Sequence, residues 1–162
     1  MLSLSFGRKD GSHMRTYASA GGRYPIEVYV AIFESEDIEQ GIYHYNVSNN
    51  SLEQIKKGGE LNKLKEFYSN QDYFEDTCYP CLIMFSMVFR RSMEKYGERG
   101  YRFALIDAGH MGQNLYLTAE YLDLGIVALG AGAGSDDQLD DIVGLVSVNE
   151  NIFYSFAVGR PE

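Results

Sequence analysis

The sequence predicts an α+β fold in which helices flank a central sheet of four or five mostly antiparallel or mixed strands. Short runs rich in β-branched and aromatic residues recur along the chain and indicate the strands. A single long segment carries apolar residues at three- and four-residue spacing and indicates one long central helix. With 162 residues, 45% of them hydrophobic, the chain is expected to form one domain over residues 1–162.

Six segments have the composition of strands. The run at 26–33 alternates β-formers, and the run at 81–89 is apolar on both faces, as a central buried strand requires. Ser48, Asn49 and Asn50 lie between two short β-rich runs and predict a hairpin turn. The predicted strands cover residues 26–33, 41–45, 52–55, 81–89, 126–129 and 152–158.

Three segments predict helices, at residues 60–68, 101–122 and 136–143. Gly125 follows the second of them as a C-terminal cap would, and acidic residues open the third. Residues 1–14 show no period and are expected to be a poorly ordered loop.

The formal net charge of −9 argues against a nucleic-acid partner, because binding a phosphate backbone requires a dominant basic face. The longest uncharged apolar run, at 81–89, is far too short to span a bilayer. The first residues lack the basic and apolar regions of a signal peptide, so a cytoplasmic protein is expected. Cys78 and Cys81 form a C-x-x-C pattern, but they precede a strand and lack further zinc ligands. We therefore interpret them as ordinary cysteines and expect no metal site.

The segment at 15–25 precedes the first strand and is rich in small residues. Ser19, Ala20 and Gly21 would let the backbone approach a flat or phosphorylated ligand closely, and Arg15 and Arg23 add positive charge suited to a phosphate. An ordinary glycine turn before a strand explains the composition equally well. A glycine-alanine run at 130–134 could present backbone N–H groups to a cofactor, but it matches neither a dinucleotide fingerprint nor a P-loop.

Lys95 and Tyr96 place an amine beside a phenol, a pair that can move protons. Arg99 and Arg102 follow closely and would favour the neutral, basic form of the amine. A solvated loop is the alternative explanation of the pair. On the long helix, His110 and Asn114 are better explained as a hydrogen-bonded core or interface pair than as catalytic groups.

Four ordered motifs together resemble one family. They are Ser-Ala-Gly-Gly-Arg-Tyr-Pro-Ile-Glu-Val-Tyr-Val at 19–30, Lys-Tyr-Gly-x-Arg-Gly-Tyr-Arg-Phe at 95–103, Ala-Gly-His-x-x-Gln-Asn-Leu-Tyr-Leu at 108–117 and Phe-Ala-Val-Gly-Arg-Pro at 156–161. This pattern resembles the streptolysin-maturation (SagB-type) branch of the nitroreductase-like flavoenzymes. Those enzymes use FMN to oxidise thiazolines and oxazolines in ribosomal peptides to thiazoles and oxazoles.

The resemblance implies a nitroreductase-like homodimer, with FMN at the subunit interface and the long helix in the dimer core. Lys95 and Tyr96 would be the catalytic pair. The cofactor-binding residues would be Arg15, Ser19, Ala20, Gly21, Arg23, Gly130, Ala131, Gly132 and Arg160. The helix that holds the flavin phosphate in nitroreductases has no counterpart in the expected loop at 1–14, and Gly22 stands where general nitroreductases have a flavin-binding asparagine.

Three functions are compatible with these features. The first is azoline dehydrogenation on a peptide, for which a cyclodehydratase is a possible partner. The second is a general NAD(P)H-dependent reductase of nitro compounds or quinones. The third is a flavin-free docking or scaffold subunit of a peptide-modifying complex. The intact Lys95–Tyr96 pair favours an enzyme.

Overall fold

The computed structural model describes residues 1–9, 11–69, 79–130 and 136–160. Its centre is one six-stranded sheet in which every neighbouring pair is antiparallel. The strands are β1 (Ile26–Ile32), β2 (Gly41–Asn46), β3 (Ser51–Lys57), β4 (Cys81–Val88), β5 (Gly125–Gly130) and β6 (Glu150–Gly159). They lie in the order β3-β2-β1-β4-β6-β5, so β1 and β4 are central.

Helices cover both faces of this sheet. They are α1 (Leu2–Phe6), α2 (Leu61–Ser69), α3 (Phe89–Tyr96), α4 (Arg99–Tyr121) and α5 (Asp136–Val143). One core cluster joins α4 and Phe6 of α1 to the sheet, and a second joins α2 and α5 to its other face. Along β1, Val28 and Val30 face the first cluster and Tyr29 and Ala31 the second. This two-sided burial explains why the central strands are apolar throughout.

The sheet confirms the predicted α+β class but contains more strands than the four or five expected. All six segments with the composition of strands form strands, and the predicted hairpin of β2 and β3 joins the edge of the same sheet through β1. The long helix is also confirmed, with Ala104, Ala108, Met111 and Leu115 in its buried stripe. Its expected glycine cap is wrong: α4 ends at Tyr121, the left-handed residue is Asp123 (φ 53°), and Gly125 begins β5.

The expected loop at 1–14 is wrong for α1. Phe6 is fully buried and packs edge-to-face on Phe85, with ring centroids 5.5 Å apart. The Ser5 hydroxyl donates to Thr118 Oγ1 (3.0 Å), and the Asn114 side-chain amide donates to the Ser5 carbonyl oxygen (3.1 Å). Contacts with α4 therefore hold α1, and Asn114 has the structural role that was expected.

The helix α3 replaces the loop considered for Lys95 and Tyr96. It turns back into α4 through Gly97, whose φ of 56° favours glycine. Gly100 lets the two helices pack closely, because a Cβ there would lie 2.7 Å from the carbonyl carbon of Ser92 and 2.9 Å from the Met93 nitrogen. Within the described ranges, no helix is both long and apolar enough to cross a membrane.

We expect Gly100→Ala to lower the free energy of unfolding by about 1–3 kcal/mol, because the added methyl group meets rigid backbone of α3. Gly59→Ala is the matched control, since a Cβ at Gly59 meets no described atom within 4 Å. Urea unfolding should place the control within about 1 kcal/mol of the wild type. Equal stability of both variants would contradict the close α3–α4 contact.

Candidate functional site

A tight turn before β1 forms one wall of the candidate site. Residues Ala20–Gly22 make a single 3₁₀ turn in which Gly21 and Gly22 have φ values of 60° and 63°. A side chain at either position would be strained, which explains why the sequence places adjacent glycines there. The Tyr24 N–H donates to the Ser19 hydroxyl oxygen (2.9 Å) and closes the turn.

Asp107 on α4 fixes this turn to the core. The Ser19 hydroxyl donates to Asp107 Oδ2 (2.5 Å), and the Ala20 N–H donates to Oδ1 (3.3 Å). The Asp107 side chain is buried, and burial raises its pKa above the ordinary value although both hydrogen bonds lower it in part. A carboxylate in this position requires such donors, because an unpaired buried charge is costly.

Lys95 and Tyr96 meet the turn at Gly21. Lys95 Nζ lies 2.8 Å from the position that a Cβ on Gly21 would occupy, and Tyr96 Oη is also in contact with that position. Lys95 Nζ is 5.2 Å from the Tyr96 ring centroid, and the Tyr96 ring packs edge-to-face on Phe103 (5.0 Å). The fold therefore brings together the proton-handling pair and the small-residue segment, which are distant in sequence.

Two arginines join the turn to α3 reciprocally. Arg23 Nε donates to the Arg91 carbonyl oxygen (2.7 Å), and Arg91 Nη1 donates to the Tyr24 carbonyl oxygen (3.1 Å). Arg23 also pairs with Glu94 (3.4 Å). These bonds of Arg23 hold α3 against the turn, and its expected contact with the cofactor stays a prediction.

A second polar group supports Arg91 from the sheet. Arg91 forms an ion pair with Glu27 of β1, and Glu27 also lies 2.8 Å from Nε2 of His44 on β2. Burial alone would raise the pKa of Glu27, but His44 and Arg91 outweigh it and lower this pKa. The contact with Glu27 in turn raises the pKa of His44.

A shallow apolar groove of about 240 Å³ lies between the turn and α4. Its lining combines small side chains with larger apolar ones and two polar groups: Ala18, Ser19, Ala20, Phe103, Ile106, Asp107 and His110. Small residues on one wall and Phe103 on the other suit a flat, largely apolar ring. The chemistry of this lining suits an isoalloxazine ring. Beside the groove, the missing Cβ of Gly21 lets Lys95 Nζ and Tyr96 Oη approach the backbone of the turn.

The other predicted cofactor residues within the described ranges, Arg15, Gly130 and Arg160, do not line this groove. The Arg15 guanidinium packs on the Tyr24 ring (4.6 Å to its centroid) and donates to the Tyr17 hydroxyl (3.1 Å). Gly130 pairs with Tyr154, at the end of the sheet where β4 leads into α3. Arg160 follows Gly159, which pairs with Gly125 at the opposite end of β5. Arg160 is thus remote from the turn within one protomer, and Ala131 and Gly132 lie outside the described residues.

Cys81 lies outside this site. Burial raises the pKa of the Cys81 thiol to about 12, so this thiol stays protonated at neutral pH and is a poor nucleophile. Cys78 lies outside the described residues. Among the residues that are described, no group of three or more His, Cys, Asp or Glu side chains is placed to bind a metal ion.

Sequence reasoning missed the positioning roles of Asp107 and Arg91. An aspartate among the apolar residues of the buried α4 stripe was a signal for Asp107, because such a group needs partners from elsewhere in the fold. Nothing in the local sequence distinguishes Arg91 from its exposed neighbour Arg90.

Comparison with known proteins places this arrangement in context. The model described as "Nitroreductase family" matches residues 9–160. The chain is 32% identical over 136 residues to the Methanocaldococcus jannaschii protein named "Putative nitroreductase MJ1384", covering 81% of this chain and 65% of that protein. It is 36% identical over 118 residues to the trifolitoxin-processing protein TfxB of Rhizobium leguminosarum bv. trifolii, covering 70% of this chain and 32% of TfxB.

A solved structure is also similar. It is a chain of the E. coli microcin synthetase McbBCD complex with truncated pro-MccB17 bound, with a TM-score of 0.87 and 26% identity. The match covers 99% of this chain and 61% of that one. The present chain thus spans less than two thirds of the length of each of these three proteins.

We expect the stability of the wild type, measured relative to Asp107→Asn, to fall as pH rises from about 3.8, the ordinary aspartate pKa, and to level off above the raised value. In this window the folded state holds the Asp107 proton more tightly than the unfolded chain, so deprotonation disfavours folding. Urea unfolding between pH 3 and 8 measures the difference. Asp141→Asn, at an exposed position of α5, is the control and should show no such trend. A pH-independent difference for Asp107→Asn would contradict the burial of this carboxyl group.

Proposed function

The chain belongs to the nitroreductase family, and from this premise we propose that it is an FMN-dependent dehydrogenase of peptide thiazolines or oxazolines, forming thiazoles or oxazoles. The observation that carries the proposal is the meeting of Lys95 Nζ and Tyr96 Oη with Gly21 of the turn. The similarity to TfxB, named for trifolitoxin processing, and to a chain of the microcin synthetase complex with truncated pro-MccB17 bound supports a peptide substrate.

The ring of FMN would lie in the apolar groove, held by Ser19, Ala20 and Phe103. Bound there, the flavin would supply the hydride acceptor for one ring carbon of the azoline. Lys95 takes the proton from the neighbouring carbon, so that the ring loses a hydride and a proton and becomes an azole. The Tyr96 phenol orients the ring heteroatom by a hydrogen bond. Asp107 contributes indirectly, because it holds the turn that these groups meet.

A second copy of the chain would complete the groove. On α4, Leu105, Ile106, Leu117 and Tyr121 are 41, 55, 61 and 78% exposed and form an apolar face without a described partner in the protomer. Several large apolar side chains exposed along one helix are a feature of interaction surfaces. Ile106 belongs both to this face and to the groove. We therefore propose a homodimer through α4, in which the partner covers the flavin.

A general NAD(P)H-dependent nitro or quinone reductase is the second candidate, and the similarity to the archaeal nitroreductase relative supports it. Anaerobic addition of NAD(P)H distinguishes the two candidates. Rapid bleaching of the flavin, with turnover of nitro compounds or quinones, favours the reductase. Oxidation of an azoline peptide with oxygen alone favours the dehydrogenase.

We expect Lys95→Ala to lower the rate of azole formation at least about 100-fold, because the proton acceptor is lost. Flavin absorbance of the purified protein should be unchanged, since the groove does not include Lys95. Mass spectrometry of a synthetic azoline peptide, which loses two hydrogens on oxidation, measures the rate. Lys57→Ala removes an amine from the exposed strand β3 and is the control. Unaffected turnover in Lys95→Ala would exclude the base role.

We expect Leu117→Glu to shift the dimer to monomer and to release flavin. A carboxylate in a symmetric apolar interface faces its own copy and loses hydration, which should weaken the dimer at least about 100-fold. Sedimentation equilibrium gives the dimer affinity, and the visible spectrum gives the flavin content. Val148→Glu is the matched control, because Val148 is 88% exposed in the loop before β6. A wild type that is monomeric with bound flavin would contradict this interface.

A further inference from the structure

Positive charge is concentrated in one segment of an acidic chain. The formal net charge is −9, yet residues 89–102 contain five of the fourteen lysines and arginines and only two acids. Two of these cations, Arg90 and Arg91 of α3, lie at the corner of the molecule next to the turn before β1. Arg23, on the turn before β1, adds a third cation there through its bond to the Arg91 carbonyl oxygen.

A depression of about 470 Å³ lies at this corner. It is lined by Gly22, Arg23, Val88, Arg90, Arg91 and Glu94. Three guanidinium groups and the Glu94 carboxylate thus line it, and a second carboxylate, that of Glu27, pairs with Arg91, so that one positive charge remains in excess. Because Gly22 lacks a side chain and a Cβ there would meet no described atom within 4 Å, the floor near the turn is open to a ligand.

The arginines keep donors for a ligand. Each guanidinium has five N–H donors. Arg23 uses its Nε and Nη2 in hydrogen bonds within the protein, and Arg90 uses its Nε. The Arg90 side chain is 85% exposed. Forked guanidinium donors match the geometry of a carboxylate.

We propose that this depression binds acidic side chains of the peptide substrate beside the ring that Lys95 and Tyr96 reach. Gly21 meets the catalytic pair and the adjacent Gly22 lines the depression, so residues flanking the ring pass over the arginines. The rest of the chain is acidic and repels such a peptide, which directs its carboxylates to this corner. This inference rests on the proposed peptide substrate.

The flavin ring and the peptide carboxylates would use different surfaces. The apolar groove and the depression share no lining residue, so a flavin ring in the groove leaves the free donors of Arg23 and Arg90 accessible. A carboxylate-bearing peptide is therefore the occupant that fits both the position and the charge of the depression.

Binding of labelled product peptides to the flavin-loaded protein tests the proposal. Two peptides carry the same azole, flanked in one by glutamates and in the other by glutamines. Fluorescence anisotropy should show the acidic peptide bound about tenfold more tightly by the wild type, equivalent to one charge-assisted contact. Arg90→Gln should remove most of this preference and leave the affinity for the neutral peptide unchanged. Lys57→Gln, which removes one cation from β3, should keep the preference.

Equal affinity of the wild type for both peptides, or a preference that persists in Arg90→Gln, would overturn the proposal. Loss of flavin absorbance in Arg90→Gln would also overturn it and assign this arginine to the flavin phosphate. Because product peptides need no turnover, a protein that fails to oxidise azolines can still show the acidic preference. Conversely, oxidation of a neutral azoline peptide without any acidic preference supports the proposed function and refutes this inference.

Discussion

The candidate site depends on one buried carboxylate. Asp107 lies on the core side of α4, where a charged group is stable only with donors around it, and the Ser19 hydroxyl and the Ala20 N–H provide them. This contact joins residues 88 positions apart in the chain and fixes the turn relative to the longest helix. Since Gly21 follows directly, the same contact sets the place where Lys95 and Tyr96 meet the backbone.

The candidate site also depends on the position of α3, and ion pairs alone would not hold this helix in place. Exposed pairs such as Arg90–Glu94 contribute about 0–1 kcal/mol each. The firmer constraints are the hydrogen bonds of Arg23 and Arg91 to backbone carbonyls and the close packing at Gly100. These contacts leave the helix little freedom to move Lys95 away from the turn.

Local sequence predicted the elements that their own residues specify. Period-two and period-3.6 patterns located the central strands and α4, because those elements bury regular apolar faces. The helices α1 and α3 were missed for a physical reason. Both are short, and their stability comes from tertiary contacts, such as Phe6 in the core and Gly100 against Ser92. The separate motifs of the site were visible in the sequence, but their meeting at Gly21 depends on the fold.

The two sides of the turn have different chemistry and suit different ligands. On one side, Ala18 and Ala20 face Phe103 and form an apolar groove suited to a flavin ring. Next to it, Gly22 opens on guanidinium groups suited to carboxylates. Gly21 lies between them, and only a glycine combines its left-handed backbone with close contact to both Lys95 Nζ and Tyr96 Oη. If the proposed function holds, the flavin ring and an acidic peptide would approach Lys95 from these two adjacent, chemically different surfaces, and the azoline ring would lie between them.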